Sequence, residues 1–266
     1  MKQPRRYELT DEQWAKVEPL LSGRKGTRGR PADNNRQFLN AIMWIARTGA
    51  PWRDLPERYG ERKPLHEVLT DADSKAWKNT HRRFSRWATR GVWRSVFAAL
   101  NVNADMEYLM MDSTIIKAHQ HSAGGKKGAK RAIGRSRGGL SSKIHMVGNE
   151  NGKPIRFFLT AGQVGDSPKA KSLMRGFRPK GWIADKAYDT NKILEIAEKT
   201  GASAIIPPTA NRKIQREYDK EKYKQRNQIE RLFNRFKQFR RIATRYEKTA
   251  RNYLALVYFA AICILL

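Results

Sequence analysis

The chain has one cysteine, Cys263, among its 266 residues. It can form no internal disulfide and no cysteine-based zinc site. It sits in an apolar run, reads as a small core residue, and fits a reducing cytoplasm. Long apolar runs are also missing. The stretch 253–266 is only 14 residues, whereas crossing a bilayer takes about 20, so a packed terminal helix is expected there. The N-terminus MKQPRRYELTDEQW is basic but lacks an apolar core, which argues against a signal peptide. No G-x-x-x-x-G-K-[ST] pattern occurs, so no nucleotide P-loop is expected. Acids are scarce: Asp+Glu is 25 against Lys+Arg of 54, giving a net charge of +29 and a pI of about 10.6. Such a balance favours polyanions, chiefly DNA or RNA. The cations are spread along the whole chain rather than over one amphipathic segment, which argues against membrane binding.

A hydrophobic fraction of 39% with seven Trp supports a real core. Against the shortage of acids, three stand in unusual company. Asp112 interrupts the apolar run YLMMDSTII (108–116), and Asp185 ends the shorter run WIAD (182–185). Both runs read as buried strands. A lone carboxylate there is costly unless it is paired or binds a metal, although a strand-end cap is the plainer reading of each. Glu230 lies in YKQRNQIERLFNRFK (223–237). On a single helix with Glu230 at zero, Tyr223, Arg226 and Lys237 fall at about +20°, −40° and −20°. One carboxylate, one phenol and two cations then share a stripe. Ile229, Leu232, Phe233 and Phe236 form the adjacent apolar arc.

These residues resemble the DDE transposases of bacterial insertion sequences, in the branch with a Y-(2)-R-(3)-E-(6)-K motif. Tyr223, Arg226, Glu230 and Lys237 match that spacing without a gap. MDSTIIKAHQHSAGGKKG and IADKAYDT are similar to the family's first and second Asp segments. IPPTANR, FRRIATRYEKTARNYLA and the N-terminal LTDEQWAKVEPLL through GAPWRDLPERYG are also like family sequence. The resemblance spans nearly the whole chain. It implies a catalytic and metal-binding triad of Asp112, Asp185 and Glu230 holding two Mg²⁺, with Mn²⁺ able to substitute. It implies DNA contacts by Tyr223, Arg226, Lys237, Arg241 and Arg245. The reaction implied is strand cleavage at terminal inverted repeats, followed by attack of a 3′-hydroxyl on target DNA. Two ions about 4 Å apart suit phosphodiester cleavage, and Mg²⁺ takes oxygen ligands, so three acids without cysteine suffice. The implied partners are double-stranded DNA, as terminal repeats and target, and a second copy of the chain in a homodimer on DNA. The implied location is the bacterial cytoplasm at the nucleoid, with no membrane. A ribonuclease-H-like nuclease that does not join strands, and an idle DNA-binding regulator, stay open as alternatives.

The pattern along the chain gives an α/β protein: an all-helical DNA-binding region, 1–103, then a ribonuclease-H-like domain, 104–266. Thr10 and Gln13 form a capping box. Asp33 is placed to cap a second helix that ends at Gly49, and Gly91 separates two later helices. Strands are expected at 109–116, 143–147 and 155–160, with a hairpin turn at 149–152. Helix 167–175, strand 182–184, helix 192–199 and strand 204–206 follow. Only 45 residues separate Asp185 from Glu230 (230 − 185), too few for a large β-rich insertion. The Gly-rich segment 122–143 carries Lys126, Lys127, Lys130, Arg131, Arg135 and Arg137 and suits DNA phosphates. His119 and His121 share a face on an extended strand but lack a third spaced ligand for zinc. Residues 61–76 depart from the family, which usually runs on directly at this point, and read as a peripheral insertion.

Overall fold

The first helix, α1 (Asp11–Val17), begins at its capping box: Thr10 and Gln13 each accept the other's amide through a side-chain oxygen. The structure, a computed structural model, describes residues 5–23, 32, 34–59, 76–102, 104, 106–124 and 131–266. Asp33, most of the basic loop at 23–31, and residues 61–75 of the expected insertion therefore lie outside the described residues. Asn34 stands at the N-cap of α2 (Asn35–Thr48), which buries Phe38, Ile42 and Ile45 and stops at Gly49, φ 76°. α3 (Ala76–Thr89) and α4 (Val92–Leu100) are divided at Gly91, whose φ of 73° suits a residue without Cβ.

The chain then builds a seven-stranded mixed sheet. β1 (Tyr108–Ala118) is central and pairs antiparallel with β3 (Gly139–Asn149), which pairs antiparallel with β2 (Gly134–Ser136) and β4 (Pro154–Ala161). After α5 (Ser167–Met174), β5 (Gly181–Ala184) lies parallel to the other side of β1. α6 (Asn191–Lys199) leads to β6 (Ser203–Ile205), parallel to β5. α7 (Lys220–Lys224), α8 (Asn227–Lys237), α9 (Arg240–Ala243), β7 (Thr244–Arg245) and α10 (Ala250–Leu265) complete the chain. Three antiparallel strands followed by alternating helices and parallel strands make the ribonuclease-H-like order expected from the sequence. Between Asp185 and Glu230 stand only a short 3-10 turn, α6, β6 and α7.

The side-chain period of two splits β1 between two cores. Leu109 and Met111 join α5 and α6 on one face. Met110 and Ile116 join α8, α10 and the N-terminal helices on the other, in one continuous cluster. Trp93 of α4 meets Phe259 of α10 edge-on at 5.5 Å, so the helical region and the sheet share a core. Gly148 sits at a register shift between β3 and β4, and a Cβ there would meet Leu232 of α8 at 3.0 Å. Its bareness lets α8, with Glu230, lie close on the sheet. No helix among the described residues is long and apolar enough to cross a membrane.

The single helix expected over 223–237 is in fact two. α7 ends at Lys224 and α8 starts at Asn227. The Gln225, Arg226 and Gln228 amides each reach back three residues, to Lys222, Tyr223 and Gln225. These tighter bonds turn the chain at Arg226. Helical periodicity cannot reveal this break, because no Gly or Pro marks it.

Candidate catalytic site

The sheet register brings the two aspartates together. Met111 of β1 pairs with Ala184 of the parallel β5, so Asp112 and Asp185 are the next residues on neighbouring strands. Adjacent strands run about 4.8 Å apart. Asp112 Oδ1 accepts the Ser113 amide at 2.7 Å, and Oδ2 accepts Arg226 Nη1 at 3.0 Å. Burial raises the Asp112 carboxyl to about 6; the Ser113 amide and Arg226 oppose the rise, while the charges of Asp185 and Asp166 add to it. Asp185 caps the turn Lys186–Tyr188, accepting the Ala187 amide at 3.0 Å.

Arg226 joins the third acid to this pair. Its second guanidinium nitrogen makes a short ion pair with Glu230, one turn on in α8. A single cation, 114 residues from Asp112 in sequence, thus bridges a carboxylate on β1 and one on α8. Tyr223 hydrogen-bonds Arg226, packs edge-on against Tyr218 at 5.5 Å, and lies in the field of Asp185. Lys237 is exposed at the far end of α8, roughly 10 Å along the axis from Glu230. Arg135 and Arg137 are exposed and line a cleft with Ile115 and Gln163. Arg131 donates to the Ala123 carbonyl at 2.9 Å. Lys126, Lys127 and Lys130 lie outside the described residues.

Two expected DNA contacts need correction. Arg245 is fully buried and donates to the carbonyls of Arg131, Ala132 and Glu247 and to the Ser142 hydroxyl. Arg241 is 6% exposed and holds Glu247 at 2.9 Å and the Gly49 and Ala50 carbonyls. Both clamp the turn at β7 to the core, out of reach of phosphates. A basic sequence context looks the same whether its arginines face solvent or cap buried carbonyls.

Other residues of the site escaped the sequence reading. The Tyr188 hydroxyl is buried without a hydrogen-bond partner; burial raises its pKa, and Asp166, Asp112 and Asp185 add to the shift. Asp166 accepts the Ser113 hydroxyl at 2.6 Å and Lys143 Nζ at 2.8 Å. In the sequence, GDSP reads as an ordinary helix start. His119 and His121, both noted in the sequence, meet at 4.5 Å, and His119 stacks on Tyr246 at 4.8 Å.

Residues 103–266 match the family described as "Transposase DDE domain", and residues 9–73 match "Putative transposase of IS4/5 family (DUF4096)". The chain belongs to the DDE transposases. A "Putative transposase for insertion sequence element IS6501" from Brucella ovis is 39% identical over 123 residues, 46% of this chain and 95% of that one. "Uncharacterized protein y4sN" from Sinorhizobium fredii is 40% identical over 135 residues, 50% of this chain and 95% of that one. Among solved structures, a piggyBac transposase synaptic complex with hairpin DNA covers 96% of this chain and 71% of its own, with a TM-score of 0.54 and 12% identity. That likeness is one of fold. The chain is thus a DDE transposase of an insertion element, an enzyme class that depends on divalent metal ions.

The donor chemistry around Asp112 suits such an ion. The side chains are hard oxygen donors, and the Asp112 carboxyl is under-compensated in its buried setting. Among the described residues no three His, Cys, Asp or Glu side chains stand close enough together to hold one ion. Arg226 stands between Asp112 and Glu230, paired with a carboxylate oxygen of each.

Proposed function

We propose that this transposase cuts DNA at the terminal inverted repeats of its element and joins the freed 3′-hydroxyl to target DNA, using Asp112, Asp185 and Glu230. The observation that carries the reading is the bridging of Asp112 and Glu230 by Arg226, beside Asp185 on the neighbouring strand. Divalent ions, Mg²⁺ with Mn²⁺ as substitute, supply charge neutralisation at phosphorus and an activated water when bound. Asp112, Asp185 and Glu230 would hold them. Arg226 then turns from the acids to a DNA phosphate, where its planar fork binds two oxygens. Tyr223 orients Arg226, and Lys237 grips the strand farther along α8.

The region 1–103 serves DNA recognition and 104–266 catalysis. Exposed Arg82 and Arg86 of α3 line a surface cleft with Asn79, which suits backbone phosphates. Arg135 and Arg137 extend the basic surface beside β1. The chain acts as a homodimer on DNA, at the bacterial nucleoid. A labelled terminal-repeat duplex tests the reading. Nicking with Mg²⁺, none with EDTA, and joining of pre-cut ends to a plasmid are expected. Cleavage without joining would make it a nuclease, and binding without cleavage a regulator.

A further inference from the structure

Asp166 stands where a helix cap belongs and does not cap. It precedes Ser167, the first residue of α5, yet its side chain makes no cap hydrogen bond. Aspartate at that position ordinarily accepts an amide of the first turn. Here the carboxylate turns back to the sheet. Its Oδ1 accepts the Ser113 hydroxyl at 2.6 Å and Lys143 Nζ at 2.8 Å. His145 Nδ1 lies 3.9 Å away and has no hydrogen-bond partner. His145 is fully buried, and burial lowers its pKa to about 4. Its ring is therefore neutral near neutral pH, and Lys143 is the charge that balances Asp166.

Ser113 connects this cluster to the catalytic strand. Its amide donates to Asp112 Oδ1 at 2.7 Å while its hydroxyl donates to Asp166. Successive side chains on a strand point to opposite faces. Asp112 thus faces α8, and Ser113 is anchored on the other face. One residue ties the Asp112 carboxylate at the front to a carboxylate–ammonium pair behind.

We propose that Ser113, Asp166 and Lys143 form a positioning relay that fixes the Asp112 carboxylate for metal binding. The relay holds the amide of Ser113 in line with Oδ1, so that Oδ2 alone is left to exchange Arg226 for a metal ion. This rests on the reading of Asp112 as a metal ligand, and the test separates the two. Mn²⁺ binding to the full chain without DNA is measured by electron paramagnetic resonance, with circular dichroism as a folding control. Asp112→Asn should abolish binding at this site. Ser113→Ala and Asp166→Asn should each weaken Mn²⁺ binding at least fivefold. Ser113→Thr keeps the hydroxyl and should bind within twofold of the parent. If Asp166→Asn fails to fold, the two Ser113 variants decide. Ser113→Ala binding within twofold of the parent, or Ser113→Thr binding as weakly as Ser113→Ala, overturns the relay while leaving the site. Unchanged binding by Asp112→Asn overturns the site and the relay together.

Discussion

Asp112 and Asp189 are carboxylates of the same domain in opposite circumstances. The Asp189 side chain is wholly buried and fully served: it accepts the Thr209 amide at 2.8 Å, Arg212 at 3.0 Å and Arg216 at 3.2 Å. Burial alone would raise its pKa, yet the Thr209 amide and then the two guanidinium groups hold it below the ordinary value. Asp112 has one amide and a half-share of one arginine, and its carboxyl rises to about 6. The first arrangement pins the 207–219 segment to the sheet. The second leaves a carboxylate short of positive charge, which a bound cation would relieve. Burial alone therefore does not tell the two carboxylates apart; the completeness of their partners does.

The largest effect expected is on chemistry. Asp112→Asn, Asp185→Asn and Glu230→Gln should each lower terminal-repeat cleavage about a thousandfold or more, equal to roughly 4 kcal/mol of barrier. Gel-shift affinity for the same DNA should stay within a few-fold. Asp189→Asn should do the reverse. Stranding two arginines at a buried site costs about 3 kcal/mol, seen as a Tm lower by roughly 6–10 °C. The remaining folded protein should cleave at close to the parent rate.

The arginines extend the contrast. Arg245→Gln should cost roughly 2–4 kcal/mol in urea unfolding, since it leaves buried carbonyls short of donors. Arg226→Gln takes the guanidinium from a mostly buried Asp112, whose carboxyl can protonate instead, and should cost roughly 1–2 kcal/mol while sharply reducing cleavage. Equal losses of stability would erase the distinction between clamp and site.

The smallest effect is a gain. In metal-free protein the Asp112 carboxyl sits at about 6 against 3.8 for the free group. The native state therefore binds the extra proton between these values, and its stability falls as pH rises through them. Asp112→Asn has no such loss. It should match the parent below pH of about 4 and exceed it above about 6, by at most about 3 kcal/mol. Added Mn²⁺ should close that gap by stabilising the parent alone.

Much of the fold was legible because β1, β5 and α8 carry strong patterns. An apolar run buried on both faces reads as a central strand, and the α8 arc reads as a docked helix. Asp112, Asp185 and Glu230 stood out as acids in apolar company. The short strands β2 and β7 were not legible, being two or three residues that depend on neighbours for pairing. Nor was the turn at Arg226, which rests on backbone bonds no residue type announces. Asp166 was hidden because its partners, Ser113 and Lys143, are distant in sequence. Arg241 and Arg245 misled because their acceptors are backbone carbonyls, invisible to composition.

The most direct test is anomalous diffraction from the protein bound to terminal-repeat DNA and Mn²⁺. The account predicts Mn²⁺ peaks held by Asp112, Asp185 and Glu230, with Arg226 turned away from both acids to a phosphate. Mn²⁺ bound elsewhere, with Arg226 still bridging Asp112 and Glu230 beside the DNA, would contradict it.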